Sequence, residues 1–453
     1  MEKFFELRER GTDVKTEVMA GITTFMTMAY ILAVNPIILG ASGMDTGAIF
    51  TATALASALA TFLMALLANM PFVLSAGMGL NAYFAYTVVI GMGYTWQQAL
   101  AAIFVEGIIF ILLSLVNIRE AIFNAIPPSL KIAVSVGIGL FISFIGLQNA
   151  HIVVDGVTLV KLFSFKSSVE TGTFQSEGIT VLLALIGLLI TAFLLIREVK
   201  GSVLFGIIAT WGLGMICQAA GIYVPNPEAG FFSLFPNGIV SMPASLSPTF
   251  MQVDFSGILS FEFFTILMAF LFVDLFDTIG TVIGCASKAN LLDADGKLPK
   301  VKQVLLTDAL GTTAGSLLGT STITTFVESS AGIAEGGKTG LTALTAGFLF
   351  LIALFLSPIF LAIPAFATAP ALIIVGFLMM QQVAKISWTD DVLTAVPAYI
   401  TIFSMAFMYS ISEGICFGVI SYTILHVLSG NSKDVTPLMY ILTVLFVLKY
   451  IFL

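Results

Sequence analysis

The stretch Thr322-Ile323-Thr324-Thr325-Phe326-Val327-Glu328-Ser329-Ser330 interrupts residues 320–334, an apolar run otherwise suited to a bilayer. A second interruption, Ser75-Ala76-Gly77-Met78-Gly79-Leu80-Asn81, breaks residues 72–90 in the same way. Backbone that leaves the helix at membrane depth is tolerated only where protein encloses it or where it lines a cavity. Glycine permits the irregular backbone and a close approach of other groups. The two stretches are therefore expected to face an enclosed space. The plainer alternative is that their small residues merely let helices pack closely.

Working outward, uninterrupted apolar runs long enough to cross about 30 Å of hydrocarbon recur along the chain. They cover residues 17–39, 48–69, 96–115, 129–148, 180–196 and 203–220, and then 261–285, 304–318, 341–356, 369–382, 392–409 and 411–428. With the two broken segments the count is fourteen. The positive-inside rule tests it. With a cytoplasmic N-terminus, Lys3, Arg8, Arg10, Lys15, Arg119, Lys131, Arg197 and Lys200 fall inside. So do Lys288, Lys297, Lys300, Lys302, Lys338, Lys385 and Lys433. Only Lys161 and Lys166 fall outside, Lys449 is undecided, and residues 221–260 hold no Lys or Arg.

The broken segments are the third and tenth crossings, each third in a set of seven. An odd number of crossings per set turns the second set upside down relative to the first. That is the inverted-repeat plan of many secondary transporters, whose discontinuous helices meet at a central binding site. The expected fold is an all-α polytopic membrane protein. A cytoplasmic amphipathic segment (1–16) precedes the first repeat (17–220), an extracellular loop (221–260), the second repeat (261–430) and a C-terminal apolar segment (431–453). Whether residues 438–453 span or lie in the interface stays open.

Composition agrees. Of 453 residues, 58% are hydrophobic and 10% charged, where soluble domains carry about a quarter charged. The net charge of −8 comes with no basic face for nucleic acid. Cys217, Cys285 and Cys416 lie far apart and read as small buried hydrophobes. The N-terminus MEKFFELRERGTDVKTE has no h-region of a signal peptide and reads as a short interfacial helix.

Ionisable groups inside spans are costly and need a reason. Asp274 and Asp277 share one face of the eighth crossing, which Thr281 and Gly284 continue as a polar stripe. Asp308 lies in the ninth crossing, Glu328 in the tenth, Glu106 in the fourth and Glu413 near one end of the fourteenth. No Lys or Arg accompanies them at depth, so protons, sodium or donor groups of a ligand must compensate them. A protonated carboxyl donates a hydrogen bond and an ionised one only accepts. Such groups can couple a proton to a neutral ligand rich in N–H. Asp277 and Glu328 are the leading candidates, while Asp274 and Asp308 divide between function and bracing. Glu106 and Glu413 read as packing or interfacial acids. Asn81 supplies an amide, and Tyr83 and Phe84 could stack a planar ligand.

These residues carry a resemblance. Gly21-Ile22-Thr23-Thr24-Phe25-Met26-Thr27-Met28-Ala29-Tyr30-Ile31-Leu32-Ala33-Val34-Asn35-Pro36 resembles the start of AzgA-type purine permeases of the nucleobase–ascorbate superfamily (nucleobase–cation symporter type 2). So do Gly77-Met78-Gly79-Leu80-Asn81-Ala82-Tyr83-Phe84, Asp277-Thr278-Ile279-Gly280-Thr281 and Thr325-Phe326-Val327-Glu328-Ser329-Ser330-Ala331-Gly332. The resemblance implies a seven-plus-seven inverted repeat with a core domain (about 17–118 and 261–357) and a gate domain (about 119–220 and 358–430). It implies import of hypoxanthine, guanine or adenine by symport, with protons favoured and sodium left open, and no further cofactor. By position, Asp277 and Glu328 match the family's purine-site acids and Asn81 its functional asparagine. Gly79, Thr281, Ser329 and Tyr83 join them as candidate substrate contacts. Asp277, Asp274, Glu328 and Asp308 are the candidate proton-coupling groups. The expected partners are a purine base, membrane lipid and a second copy in a homodimer, in a bacterial plasma membrane.

Other readings are a uracil or xanthine permease of the same superfamily, or an anion carrier on the same architecture. An anion site would want positive charge or helix N-termini, which two carboxylates oppose. A passive channel would show no accumulation. A membrane-embedded enzyme lacks its motifs: there is no His-Glu-x-x-His, no Gly-x-Ser-x-Gly and no nucleotide loop. Asp274 and Asp277 also share one helix, unlike the acids of a paired-aspartate protease.

Overall fold

The computed structural model describes residues 2–115, 126–157, 159–258, 260–289, 291 and 298–452. Arg119, Lys297 and the expected domain boundary at 118/119, with the side chains at Lys288 and Gly284, lie outside the described residues.

Among the described residues, eight helices are long and apolar enough to cross a membrane, and four further apolar helices are shorter. The first crossing expected over 17–39 is two helices, Val14–Met28 and Ile31–Gly40. Asp13 caps the first by accepting from Thr16 N at 2.9 Å. Between them, at Ala29 and Tyr30, the hydrogen bonds tighten, with Leu32 N donating to Ala29 O and Ala33 N to Tyr30 O. Pro36, inside the second helix, has no N–H with which to continue the ladder back to this turn.

The chain is not wholly helical. Strands β1 (Leu74–Ala76) and β4 (Ile323–Thr325) pair antiparallel, with Ser75 opposite Thr324 at the centre. A separate antiparallel pair joins β2 (Val153–Gly156) to β3 (Leu159–Leu162). Helix Met78–Ala82 follows β1, and helix Ser329–Ala334 follows β4. The two interruptions read from the sequence therefore meet each other.

Their unwound backbone is fully engaged at its edges. Gly77 N donates to Thr322 O and Phe326 N to Val73 O, both at 3.0 Å. Val73 N donates to Ser329 Oγ at 3.0 Å, and Leu74 N to Thr61 Oγ1 at 3.1 Å. Thr312 Oγ1 donates to Ile323 O at 2.9 Å. Each hydroxyl stands where a helical partner is missing, as an apolar interior requires.

Helices pack through small residues. A Cβ at Gly139, in Pro128–Asn149, would fall 2.7 Å from Gly376 O in Ala365–Met380. A Cβ at Gly332 would strike Ala20 O and Thr24 Oγ1, so helix Ser329–Ala334 lies directly on helix Val14–Met28. Pro128–Asn149 also packs on Val392–Phe407, and Val301–Leu318 on Trp96–Leu115.

Both termini fold onto the rest of the chain. The N-terminal segment is helical only over Glu2–Phe5. Phe5 and Leu7 are buried against Ala65, Leu341 and Ala343 rather than left for an interface. Arg10 Nη1 donates to Asn69 O and Lys338 O, and Glu17 accepts from Lys338 N and from Thr342 Oγ1. At the same end Lys200 pairs with Glu335. The C-terminal stretch is a helix, Pro437–Phe452, laid antiparallel against Ile411–Leu428. Thr443 Oγ1 meets Thr423 Oγ1 at 2.8 Å, and Lys449 and Tyr450 both reach Glu413. Lys449 is buried. The expectation that no buried cation accompanies the acids fails at Glu413, because the last helix folds back to deliver one.

Candidate functional site

The acids of the eighth, ninth and tenth predicted crossings converge at the β1–β4 pair. Asp274 and Asp277 come from helix Phe261–Lys288, Asp308 from Val301–Leu318, and Glu328 immediately precedes Ser329–Ala334. Asp277 lies within reach of the charges on both Asp308 and Glu328. Its Oδ2 also lies 3.7 Å from where a Cβ at Gly77 would stand. That Cβ would fall 2.7 Å from Thr324 Cγ2, so a side chain at Gly77 would crowd the space between strand and acid.

The four acids divide by exposure. Asp274 and Asp308 have no accessible surface, whereas Asp277 and Glu328 keep some. Val327, next to Glu328, is 57% exposed.

The enclosed pair is joined by Thr278. Its Oγ1 lies 2.9 Å from Asp274 Oδ1, 2.9 Å from Asp308 Oδ1 and 2.7 Å from Thr324 Oγ1. Three hydrogen bonds need three protons, and each hydroxyl supplies one. The third must come from a carboxyl, so the cluster is fully bonded only when Asp274 or Asp308 is protonated.

Glu328 Oε1 accepts from Tyr30 Oη at 2.6 Å. Tyr30 comes from the tightened turn of the first crossing, and the sequence reading passed over it. The signal available was that turn, in the first resembling stretch and six residues before Pro36.

The remaining candidates have structural partners. Asn81 is buried. Its Oδ1 accepts from Ser321 Oγ, and its Nδ2 lies 3.5 Å from Ala76 O, so its amide bridges both interrupted segments. Ser329 Oγ accepts from Val73 N. A Cβ at Gly79 would fall 2.7 Å from Ile138 Cγ2, so this glycine admits a neighbouring helix. Tyr83 packs edge-on to Phe270 with centroids 4.8 Å apart. Thr281 is partly exposed on the helix that carries Asp277. Glu106 is buried and accepts from Thr322 Oγ1 at 3.0 Å, bracing the residue before β4. A recess of about 880 Å³, bordered by Asn149, His151, Tyr223, Phe231 and Phe366, lies elsewhere and includes none of these acids. Among the described residues no His/Cys/Asp/Glu group is arranged to hold a metal.

A family model described as Permease family (Xan_ur_permease) matches residues 15–417. The chain belongs to this permease family. It is therefore a transport protein and not an enzyme. A Methanocaldococcus jannaschii protein named as a permease is 50% identical, the match covering all of this chain and 98% of that one. The guanine/hypoxanthine permease PbuG of Bacillus subtilis is 43% identical, with full coverage of both. The adenine permease AdeP of Escherichia coli is 41% identical, covering all of this permease and 96% of the relative. Among solved structures, the transmembrane domain of a cyanobacterial bicarbonate transporter, BicA, superposes with TM-score 0.64 at 15% identity. That superposition covers 89% of this permease and 97% of the domain. SLC26A9 superposes with TM-score 0.60 at 10% identity, covering 92% and 66%. These two likenesses concern the fold.

Proposed function

We propose that this permease imports purine nucleobases (hypoxanthine, guanine or adenine) by proton symport, with Asp277 and Glu328 as the substrate-binding acids. The observation that carries the reading is the division among the four acids at the break. Two keep accessible surface and two are sealed around Thr278. A neutral purine presents ring N–H groups, and an exocyclic amine in adenine and guanine. Carboxylate oxygens accept from such edges, and sites built on hydrogen bonds discriminate strongly between isosteres. Relatives matched over nearly their whole length and named for adenine and for guanine/hypoxanthine support the substrate class.

Asp274 and Asp308 take the coupling role. Their cluster is complete only with a proton aboard, and Asp277, one turn from Asp274, links it to the substrate. In this reading the core (about 17–118 and 261–357) carries the site past the gate (about 119–220 and 358–430) in an elevator motion. The fourteen crossings form two inverted sets of seven, the N-terminus is cytoplasmic in a bacterial plasma membrane, and the gate domains pair in a homodimer.

The test is uptake of radiolabelled hypoxanthine, guanine and adenine into purine-uptake-deficient cells, with and without a protonophore. Accumulation of one base that the protonophore abolishes is the expected result. Absence of uptake of all three, with the protein present in the membrane, overturns the substrate class. Asp277→Asn that still concentrates purine with unchanged pH dependence removes Asp277 from coupling.

A further inference from the structure

We propose that Tyr30 is a positioning residue for substrate selection: its phenol holds Oε1 of Glu328 and sets the carboxylate so that Oε2 faces the ligand as an acceptor. The proposal rests on the purine reading above and adds to it the group that orients the acid.

The geometry is specific. Tyr30 Oη donates to Glu328 Oε1 at 2.6 Å, a short charge-assisted distance. Tyr30 is 1% exposed, so its ring is fixed by packing, while Glu328 keeps accessible surface. The phenol is thus set behind the acid and does not itself line the accessible space. It also stands within range of the charge on Asp277, so one buried hydroxyl adjoins both proposed ligand-facing acids. Glu328 sits at the start of helix Ser329–Ala334, where its backbone is held by Ser329 N donating to Phe326 O and Ala331 N donating to Glu328 O. The carboxylate is held by two donors, its own backbone N–H and the Tyr30 phenol, of which only Tyr30 reaches it from another element. Among the hydrogen bonds and ion pairs of the described residues, Glu328 has no cationic partner.

A carboxylate fixed by a donor on one oxygen stays an acceptor at the other, and accepts from ring N–H groups. Removing the phenol hydroxyl leaves the acid in place with its own backbone N–H as its remaining donor, so the carboxylate turns more easily, which weakens substrate and transition-state binding alike. Such a loss raises KM and leaves kcat nearly unchanged.

The experiment measures hypoxanthine uptake kinetics of the full-length permease carrying Tyr30→Phe, Glu328→Gln, or both. KM does not depend on how much protein reaches the membrane, so lower expression does not confuse the result. Tyr30→Phe is expected to raise KM about tenfold or more, with maximal rate per molecule within about threefold. In the double variant, Tyr30→Phe is expected to add little to Glu328→Gln, because the acceptor it positions has already been altered. An unchanged KM in Tyr30→Phe, or penalties that multiply in the double variant, overturns the positioning role. A wild-type protein that takes up no purine overturns the purine reading and this role with it, and is seen before any variant is compared.

Discussion

Buried Lys449 and partly exposed Glu413 form an ion pair that closes the C-terminal helix onto the helix before it, with Tyr450 on the same carboxylate. Desolvating a lysine is offset only while its partner is present. Lys449→Met leaves the partly exposed glutamate with Tyr450 alone, and the expected cost is about 1–3 kcal/mol, read as a lower unfolding temperature in detergent. Pairing it with Glu413→Gln is expected to recover most of the loss. Equal destabilisation by the single and double variants would mean that the pair contributes through packing alone.

Lys200 and Glu335 make the contrasting case, with side chains 55% and 32% exposed. An accessible pair contributes below about 1 kcal/mol. Lys200→Met should therefore leave thermal stability within that margin, and a loss several times larger would show a tighter environment than the exposure implies.

Thr278→Val removes the hydroxyl that joins Asp274, Asp308 and Thr324 while keeping the side chain's shape. The two sealed acids then face each other without their shared partner. Concentrative uptake is expected to fall at least tenfold, on the scale of about 1.4 kcal/mol per decade, while exchange of labelled for unlabelled base persists. Loss of both together would point to collapse of the site instead of failed coupling.

Gly332→Ala places a methyl group against Ala20 O and Thr24 Oγ1. Overpacking of this kind costs about 1–3 kcal/mol. The helix after β4 must shift to relieve it, taking Glu328 along. We expect lower thermal stability and a raised KM for the base. Wild-type values for both would show that the helix has slack.

Much of this was legible from the chain because burial of charge leaves a mark in an apolar sequence. Asp277, Glu328, Asp274 and Asp308 stood out by type alone, and the two interruptions by their hydroxyls and glycines. What stayed hidden depends on partners distant in sequence. Tyr30 is one of ten tyrosines, and only the folded chain brings its hydroxyl to an acid 298 positions away. Thr278 had no role of its own in the sequence, because two of its three partners, Asp308 and Thr324, come from other elements. Gly79 and Ser329 were candidate ligand contacts through the resembling stretches in which they stand, and their packing partners were not legible there. Packing assigns Gly79 to Ile138, and hydrogen bonding assigns Ser329 to Val73. Lys449 was undecided because no periodicity tells a last apolar helix where to fold back.

The strand pair centred on Ser75 and Thr324 has a consequence for the order of biosynthesis. The first interrupted segment emerges from the ribosome about 250 residues before its complement, at a speed of about 5–20 residues per second. For about 12–50 seconds at that rate its backbone groups have no strand to bond with, in surroundings where unmet amides are costly. The nascent first half must keep that segment wet, or shield it with a companion, until the second half arrives. The binding cradle therefore cannot become native until the second half emerges, and a truncated chain ending before Ile323 should be recognised as unfinished by quality-control proteases however well its other helices have inserted.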